Sequence, residues 1–141
     1  MRLEQITDNG LYSLQLPSTN NSIAVVENFV DDLVSTLAIG DDVYANLMTC
    51  LNEAVTNAIF HGNKQNSEKI VFLNLEIINN KRLIFTIADQ GEGFDFSNLP
   101  DPTSPENLEN LSGRGVFIMK QLADQCIFNT LGNEVELHFK I

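Results

Sequence analysis

The stretch Glu53-Ala-Val-Thr-Asn57-Ala-Ile-Phe-His61-Gly62 predicts the end of a helix with one apolar face. Apolar residues recur at helical spacing along this helix, and they are Val43, Leu47, Leu51, Ala54 and Ala58. Asp41 or Asp42 can cap its start. Its end is expected near His61, with Gly62 as the left-handed C′ residue.

The segments on either side of this helix predict a sheet and two further helices. Before it, residues 11–16 alternate apolar and polar side chains as a strand does, and residues 23–37 form a helix that Gly40 stops. After it come predicted strands over 70–78 and 83–88, a helix over 113–124, and strands over 126–131 and 134–141. Short turns between strands favour a mixed, mostly antiparallel sheet with the helices on one face, a two-layer α+β sandwich.

Length and composition limit the class of protein. The 141 residues predict one domain, 1–141, and 43% of them are hydrophobic. Eight basic against nineteen acidic residues give a formal charge of −11, which repels phosphate backbones, so no direct nucleic-acid binding is expected. Residues 1–10 show no signal-peptide pattern, and no run reaches membrane-spanning length, so we expect a cytoplasmic protein without a membrane partner. Cys50 and Cys126 fall in apolar runs and are expected to be reduced, buried thiols.

Glu53 and Asn57 form the first candidate for chemistry. Because they are four residues apart on a helix, they project from the same face about one turn apart. A carboxylate can orient a hydroxyl for attack, and an amide oxygen can bind Mg²⁺. A solvated polar face is the simpler explanation of such a pair taken alone.

The segment Asp89-Gln90-Gly91-Glu92-Gly93 follows an apolar strand and is the second candidate. An acid in that position can accept a hydrogen bond from an exocyclic amine such as adenine N6. Gly91 and Gly93 permit positive φ and let a ligand lie against the backbone. An ordinary turn explains the segment equally well when it is considered alone.

Gly113-Arg114-Gly115 opens a helix and follows a polar, proline-containing loop. The unpaired N–H groups of a helix start can hold phosphates even on an acidic protein. Arg114 could stabilise charge on a transferring phosphoryl group or face a partner protein. A loop end without function remains the alternative. His61 and His138 have no metal spacing and are predicted to be structural.

Taken together, these three stretches resemble the boxes of the GHKL superfamily of ATP-binding domains, which includes histidine kinases, gyrase-type ATPases and Hsp90. Glu53 to Gly62 matches the N box, Asp89 to Gly93 the first glycine box, and Gly113 to Gly115 the second. The sequence is most similar to the bacterial anti-sigma-factor serine/threonine kinases of the RsbW/SpoIIAB type. Asp101-Pro-Thr-Ser-Pro-Glu-Asn-Leu108 ahead of Gly113-Arg-Gly-Val-Phe-Ile-Met119 is typical of that branch.

The resemblance implies a Bergerat-type fold and a set of roles in binding Mg-ATP. Asn57 would coordinate Mg²⁺ and Asp89 would recognise adenine, in a pocket shaped by Gly91 and Gly93. Residues 94–112 would form a lid over the nucleotide, and residues 113–115 would receive the phosphates.

The resemblance also implies an acceptor and partners. Glu53 would be the general base that positions a serine or threonine hydroxyl, and Arg114 would support the transfer. In the family the acceptor is a STAS-type anti-anti-sigma protein, and the kinase also binds a sigma factor, often as a homodimer. Two alternatives remain open. One is a regulator-binding module without catalysis, and the other is a detached histidine-kinase-like ATPase domain acting in trans.

Overall fold

The computed structural model describes residues 10–97 and 114–141, and residues 1–9 and 98–113 lie outside the described part. Along the chain it contains β1 (Leu11–Pro17), α1 (Asn21–Leu37), α2 (Asp41–Thr56), a π-helical turn (Asn57–Gly62), β2 (Ile70–Ile78), β3 (Arg82–Ala88), α3 (Arg114–Leu122), β4 (Gln125–Phe128) and β5 (Glu134–Lys140). The predicted α+β fold, a sheet accompanied by three helices, is confirmed. None of the helices in the described ranges is both long and apolar enough to cross a bilayer.

The five strands form one sheet in the order β1-β2-β3-β5-β4, and each neighbouring pair is antiparallel. Its register places apolar side chains in rows that cross the strands. One row contains Leu14, Leu73, Ile87, Val135 and Phe128, each opposite the next. Because side chains alternate between the two faces of a strand, this whole row points toward the helices.

The core lies between the sheet and the helices. Apolar residues at helical spacing in α1 are buried, including Phe29, whose ring meets that of Tyr12 on β1 edge-on at 5.9 Å between ring centres. In β5, Val135, Leu137 and Phe139 are buried while Glu134 and Lys140 are exposed. The prediction that one face of this last strand meets water is therefore confirmed at both of its ends.

The helix ends differ from the predictions. Gly62 is not the left-handed C′ residue, because α2 passes at Asn57 into the π-helical turn, which closes with the Asn63 N–H donating to Ala58 O at 2.8 Å. α1 ends before Gly40, with Ala38 in the left-handed conformation at φ 53°. Gly40 itself, and neither Asp41 nor Asp42, occupies the N-cap position of α2.

The two cysteines are free, with Cys50 fully buried on α2 and Cys126 partly buried on β4. Burial raises the pKa of the Cys50 thiol to about 12 and that of Cys126 to about 11. Both thiols therefore stay protonated at neutral pH. The predicted burial is confirmed for Cys50, whereas Cys126 is only partly buried.

Candidate functional site

A cavity of about 610 Å³ opens between the end of α2, the start of α3 and the sheet. Its polar and ionisable lining residues are Glu53, Thr56, Asn57, His61, Asp89, Arg114, Asn133 and Glu134. Ile87, Val135 and Phe128, from the apolar row of the sheet, form an apolar part of the wall together with Val116 and Met119 of α3. A mostly apolar cavity with a few convergent polar groups is the usual form of a small-molecule site.

Glu53 and Asn57 form one polar end of the cavity. Both are partly buried, so they are not part of a fully solvated helix face. Gly115, in the first turn of α3, lies directly against them: a Cβ atom there would be 2.6 Å from Glu53 Oε2 and 3.2 Å from Asn57 Nδ2. A larger residue at position 115 would therefore require the Glu53 carboxylate to move away from the start of α3.

Asp89 forms a second polar end, at the terminus of β3. Its carboxyl accepts a hydrogen bond from the Gly91 N–H at 2.8 Å on Oδ1. Burial raises the pKa of Asp89, while the Gly91 N–H and the charge of Lys69 act in the opposite direction. A Cβ atom on Gly62 would overlap this carboxyl, so the end of the π-helical turn is packed against Asp89.

The π-helical turn explains why Glu53, Asn57 and His61, spaced four residues apart, all reach the cavity. Two residues four apart in an α-helix are rotated by slightly more than one full turn about the helix axis. A π-helix rotates by a smaller angle per residue. Because the helix type changes at Asn57, this excess rotation is offset, and His61 lies on nearly the same side of the helix as Glu53 and Asn57. His61, predicted to be structural, is exposed and lines the cavity.

The β4–β5 turn, residues 129–133, holds the second polar end in place. Asn129 Oδ1 accepts hydrogen bonds from the N–H groups of Gly132, Asn133 and Glu134 at 2.8, 3.1 and 3.2 Å. Asn133 O in turn accepts the Asp89 N–H at 2.9 Å, and Asn133 Nδ2 donates to Gly91 O at 3.3 Å. The sequence placed residues 129–131 in the preceding strand and only Gly132 and Asn133 in the turn, whereas β4 ends at Phe128. The contacts of Asn133 join residues more than 40 positions apart, so the sequence pattern gave no sign of them.

Aromatic side chains form the rim beside this turn. Phe96 stacks on Phe128 with ring centres 4.9 Å apart, and Phe94 meets Phe128 edge-on at 5.4 Å. Gly93 adopts φ +82°, and a Cβ atom on it would overlap Leu131 O. The positive φ that the sequence led us to expect is thus present at Gly93, and it is absent at Gly91.

The structure brings most of the predicted site residues to one cavity. Those that line it are Glu53, Asn57, Asp89, Gly93, Arg114 and Gly115. Gly91 lies behind Asp89, where a Cβ atom would overlap Gly62 O, so its lack of a side chain permits close packing. Gly113 and the predicted lid beyond residue 97 lie outside the described residues. Asn63, Asn129 and Asn133, which position these groups, were not identified from the sequence.

Comparisons with known proteins agree with this geometry. The model of the histidine kinase-like ATPase domain family matches residues 16–139. The serine-protein kinase RsbW of Staphylococcus epidermidis is 32% identical over 120 residues, which cover 79% of this chain and 74% of that protein. The anti-sigma F factor of Priestia megaterium is 33% identical over 113 residues, which cover 77% of this chain and 74% of that protein.

A solved structure shows the same fold. The RsbU and RsbW domains of a Mycobacterium tuberculosis protein match 92% of this chain and 31% of that longer one, with a TM-score of 0.64 and 12% identity. The resemblance on which the sequence-based predictions rest is therefore confirmed. The chain belongs to the histidine kinase-like ATPase domain family, in the branch that contains the RsbW serine-protein kinases and the anti-sigma F factors.

Proposed function

We propose that this chain is an Mg-ATP-dependent serine/threonine protein kinase that phosphorylates a STAS-type anti-anti-sigma protein and sequesters a sigma factor. One observation carries the proposal: an acid and an amide, Glu53 and Asn57, lie against the start of α3 in the same cavity as Asp89. The names of the relatives, a serine-protein kinase and an anti-sigma factor, support the same activity.

The nucleotide would lie along the cavity, with its base at Asp89 and its phosphates at the start of α3. Asp89 would accept a hydrogen bond from the adenine N6 amine, with Gly91 and Gly93 shaping the backbone around the base. Residues 113–115 would receive the phosphates through N–H groups and the positive end of the helix dipole. The apolar wall would cover the purine faces, because an uncharged ring gains from leaving water.

The donor atoms of the site fit a magnesium ion that is held mainly by phosphates and water. Within residues 10–97 and 114–141, no cluster of three or more His, Cys, Asp or Glu side chains could hold a metal ion. Mg²⁺ commonly uses only one or two protein oxygens beside substrate phosphates, and the Asn57 amide oxygen would supply one of them. Bound there, the ion would neutralise charge on the phosphates.

The remaining groups would carry out phosphoryl transfer. The hydroxyl oxygen of the acceptor attacks the γ-phosphorus, the bond to the β,γ-bridging oxygen breaks, and ADP leaves. Glu53 takes the hydroxyl proton as general base, and Arg114 stabilises the negative charge on the phosphoryl oxygens. Such a reaction depends on positioning and charge stabilisation, which matches a site built on helix ends.

The partners follow from the same branch of the family. A STAS-type protein would present the acceptor serine or threonine, and a sigma factor would bind the kinase, which in the family is often a homodimer. The cytoplasmic location and the lid over residues 94–112 remain predictions of the sequence.

Transfer of labelled phosphate from ATP to the STAS-type protein encoded next to this chain tests the proposal. We expect label on a serine or threonine. In Glu53→Gln, which is of matched size, we expect the transfer rate to fall by about 10²–10⁴-fold while ATP still binds, because a general base contributes about that much. Asn57→Ala should lose transfer together with Mg-ATP binding.

The matched control is Glu92→Gln, which neutralises an exposed acid that does not line the cavity. It should transfer phosphate at the parental rate. Undiminished transfer in Glu53→Gln would remove Glu53 as the base. Acid-labile label would indicate phosphohistidine and favour the histidine-kinase-like alternative, whereas sigma binding with no transfer to any STAS protein would favour a non-catalytic module.

A further inference from the structure

Asn63, directly after the π-helical turn, is 1% exposed, and its side-chain amide joins three separate segments. Its Nδ2 donates to Ser18 Oγ at 2.9 Å and to Ile70 O at 3.1 Å. Its Oδ1 accepts the backbone N–H of Gln90 at 2.7 Å. A buried amide is tolerated when its hydrogen-bonding groups are satisfied, so these contacts define one geometry for all three segments.

The Gln90 contact is the one that reaches the candidate site. Gln90 lies between Asp89 and Gly91, so Asn63 holds the middle of the turn that carries the proposed base-reading carboxyl. The residue before Asn63, Gly62, packs against that carboxyl. The Gln90 side chain strengthens the same link, because its Oε1 accepts the N–H of Ile70 at 2.8 Å.

We propose that Asn63 is a positioning residue that sets the base selectivity of the site. Through the Gln90 N–H it fixes Asp89 relative to the helix end that bears Asn57, so that the carboxyl meets the 6-amino group of a purine. This inference rests on the proposed nucleotide function. Without Asn63, the Gln90 N–H loses its partner and the turn can shift. If the Asp89 carboxyl is displaced even slightly, the site should distinguish adenine from other purines much less well. Selectivity depends on a fixed hydrogen-bonding geometry.

The probes are ATP and inosine triphosphate, which carries a carbonyl in place of the 6-amino group. Calorimetry with Mg²⁺ present gives the ratio of the two Kd values for the full chain and its variants. We expect the parent to prefer ATP by about a hundredfold or more, since a site built to accept an N–H rejects an analogue that lacks it. In Asn63→Ala this preference should fall to about tenfold or less, the effect of losing a positioned hydrogen bond.

Two variants separate positioning from general stability. Asn63→Asp keeps an acceptor for the Gln90 N–H but loses the donors to Ser18 Oγ and Ile70 O, so it should lower the Tm while retaining the preference for ATP. Ser18→Ala removes a contact on the other side of the same buried network and should lower the Tm without changing the Kd ratio. If Asn63→Ala does not fold, Asn63→Ser, whose hydroxyl is too short to replace the amide oxygen, is measured in its place.

The outcomes distinguish this inference from the proposed function. A parent protein that binds ATP and inosine triphosphate equally overturns both the adenine site and the role of Asn63. A selective parent together with an equally selective Asn63→Ala or Asn63→Ser variant overturns the role of Asn63 alone. Loss of the preference in Asn63→Ala, with the preference kept in Asn63→Asp and Ser18→Ala, supports it.

Discussion

At the scale of single residues, Asp89 shows how a proposed binding group can lower the stability of the fold. Burial raises the pKa of its carboxyl despite the opposing effects of the Gly91 N–H and Lys69. When the pKa of a carboxyl is higher in the folded than in the unfolded chain, the fold is more stable while the carboxyl is protonated. This stability is lost as the pH rises through the pKa of the folded state. At neutral pH the ionised Asp89 is therefore less favourable in the fold than in water.

We accordingly expect Asp89→Asn to raise the Tm of the nucleotide-free protein at neutral pH. The rise should be on the order of 1–2 °C, because solvent screens this half-exposed group. The difference should shrink as the pH falls into the acid range where Asp89 takes up its proton. In the same variant ATP affinity should drop about tenfold, since a carboxylate accepts a stronger hydrogen bond than a neutral amide.

Thermal melts of both proteins across pH, paired with calorimetry at neutral pH, measure these effects. A lower Tm for Asp89→Asn at neutral pH, or a difference that stays constant at every pH, would show that burial does not control this carboxyl.

At the scale of elements, the helices and strands followed from hydrophobic periodicity, whereas the π-helical turn after α2 and the contacts of the β4–β5 turn did not. The strand predicted over 70–78 is β2 (Ile70–Ile78), with the same bounds, because this run is apolar except at Asn74 and Glu76 and is bounded by polar segments. The π-helical turn was missed, since a change from one helix type to another leaves the residue pattern almost unaltered. Asn63 and Asn133 were missed because their contacts depend on the packing of distant segments. Asn129 contacts only its own turn, and the sequence placed it in the preceding strand. The residues of the candidate site were predicted better than the asparagines that hold them in place. The glycines and acids of the site lie at the ends of helices and strands, which the sequence pattern marks.

The β4–β5 turn gives a prediction at this scale. Asn129→Ala removes the acceptor of three backbone N–H groups, so we expect the free energy of unfolding to fall by about 2 kcal/mol. Because Asn133 of this turn binds the backbone of Asp89 and Gly91, ATP affinity should fall as well. Denaturant unfolding and nucleotide titration measure the two effects.

Thr130→Ala is the matched control, since Thr130 is the exposed neighbour in the same turn. It should leave both quantities close to the parental values. If Asn129→Ala were as stable as Thr130→Ala, the side chain of Asn129 would have no part in holding the turn.

At the scale of the whole molecule, the charge of −11 opposes the approach of any nucleotide. Local groups such as Arg114 and the start of α3 act only at short range. At low ionic strength, by contrast, the field of the whole protein extends about 30 Å into solution. Because ATP is also anionic, we expect this field to slow its arrival.

We expect the association rate constant of a fluorescent ATP analogue to increase severalfold when ionic strength rises from about 10 mM to about 150 mM, because screening shortens the reach of the repulsion to about 8 Å. Stopped-flow mixing at constant free Mg²⁺ measures it. An uncharged fluorescent adenosine is the control and should associate at a rate independent of salt. A rate for the ATP analogue that falls with salt would mean that the positive groups at the cavity dominate its approach.

The close packing of Gly62, Gly91 and Asp89 has a consequence for inhibition. At either glycine, any larger residue would drive its first side-chain carbon into the carboxyl or into the neighbouring backbone. A compound that binds Asp89 through an amine and lies over these two backbone segments would leave the protein few ways to evolve resistance. Because these residues form the proposed base-recognition site, we expect each escape substitution there to weaken nucleotide binding as well.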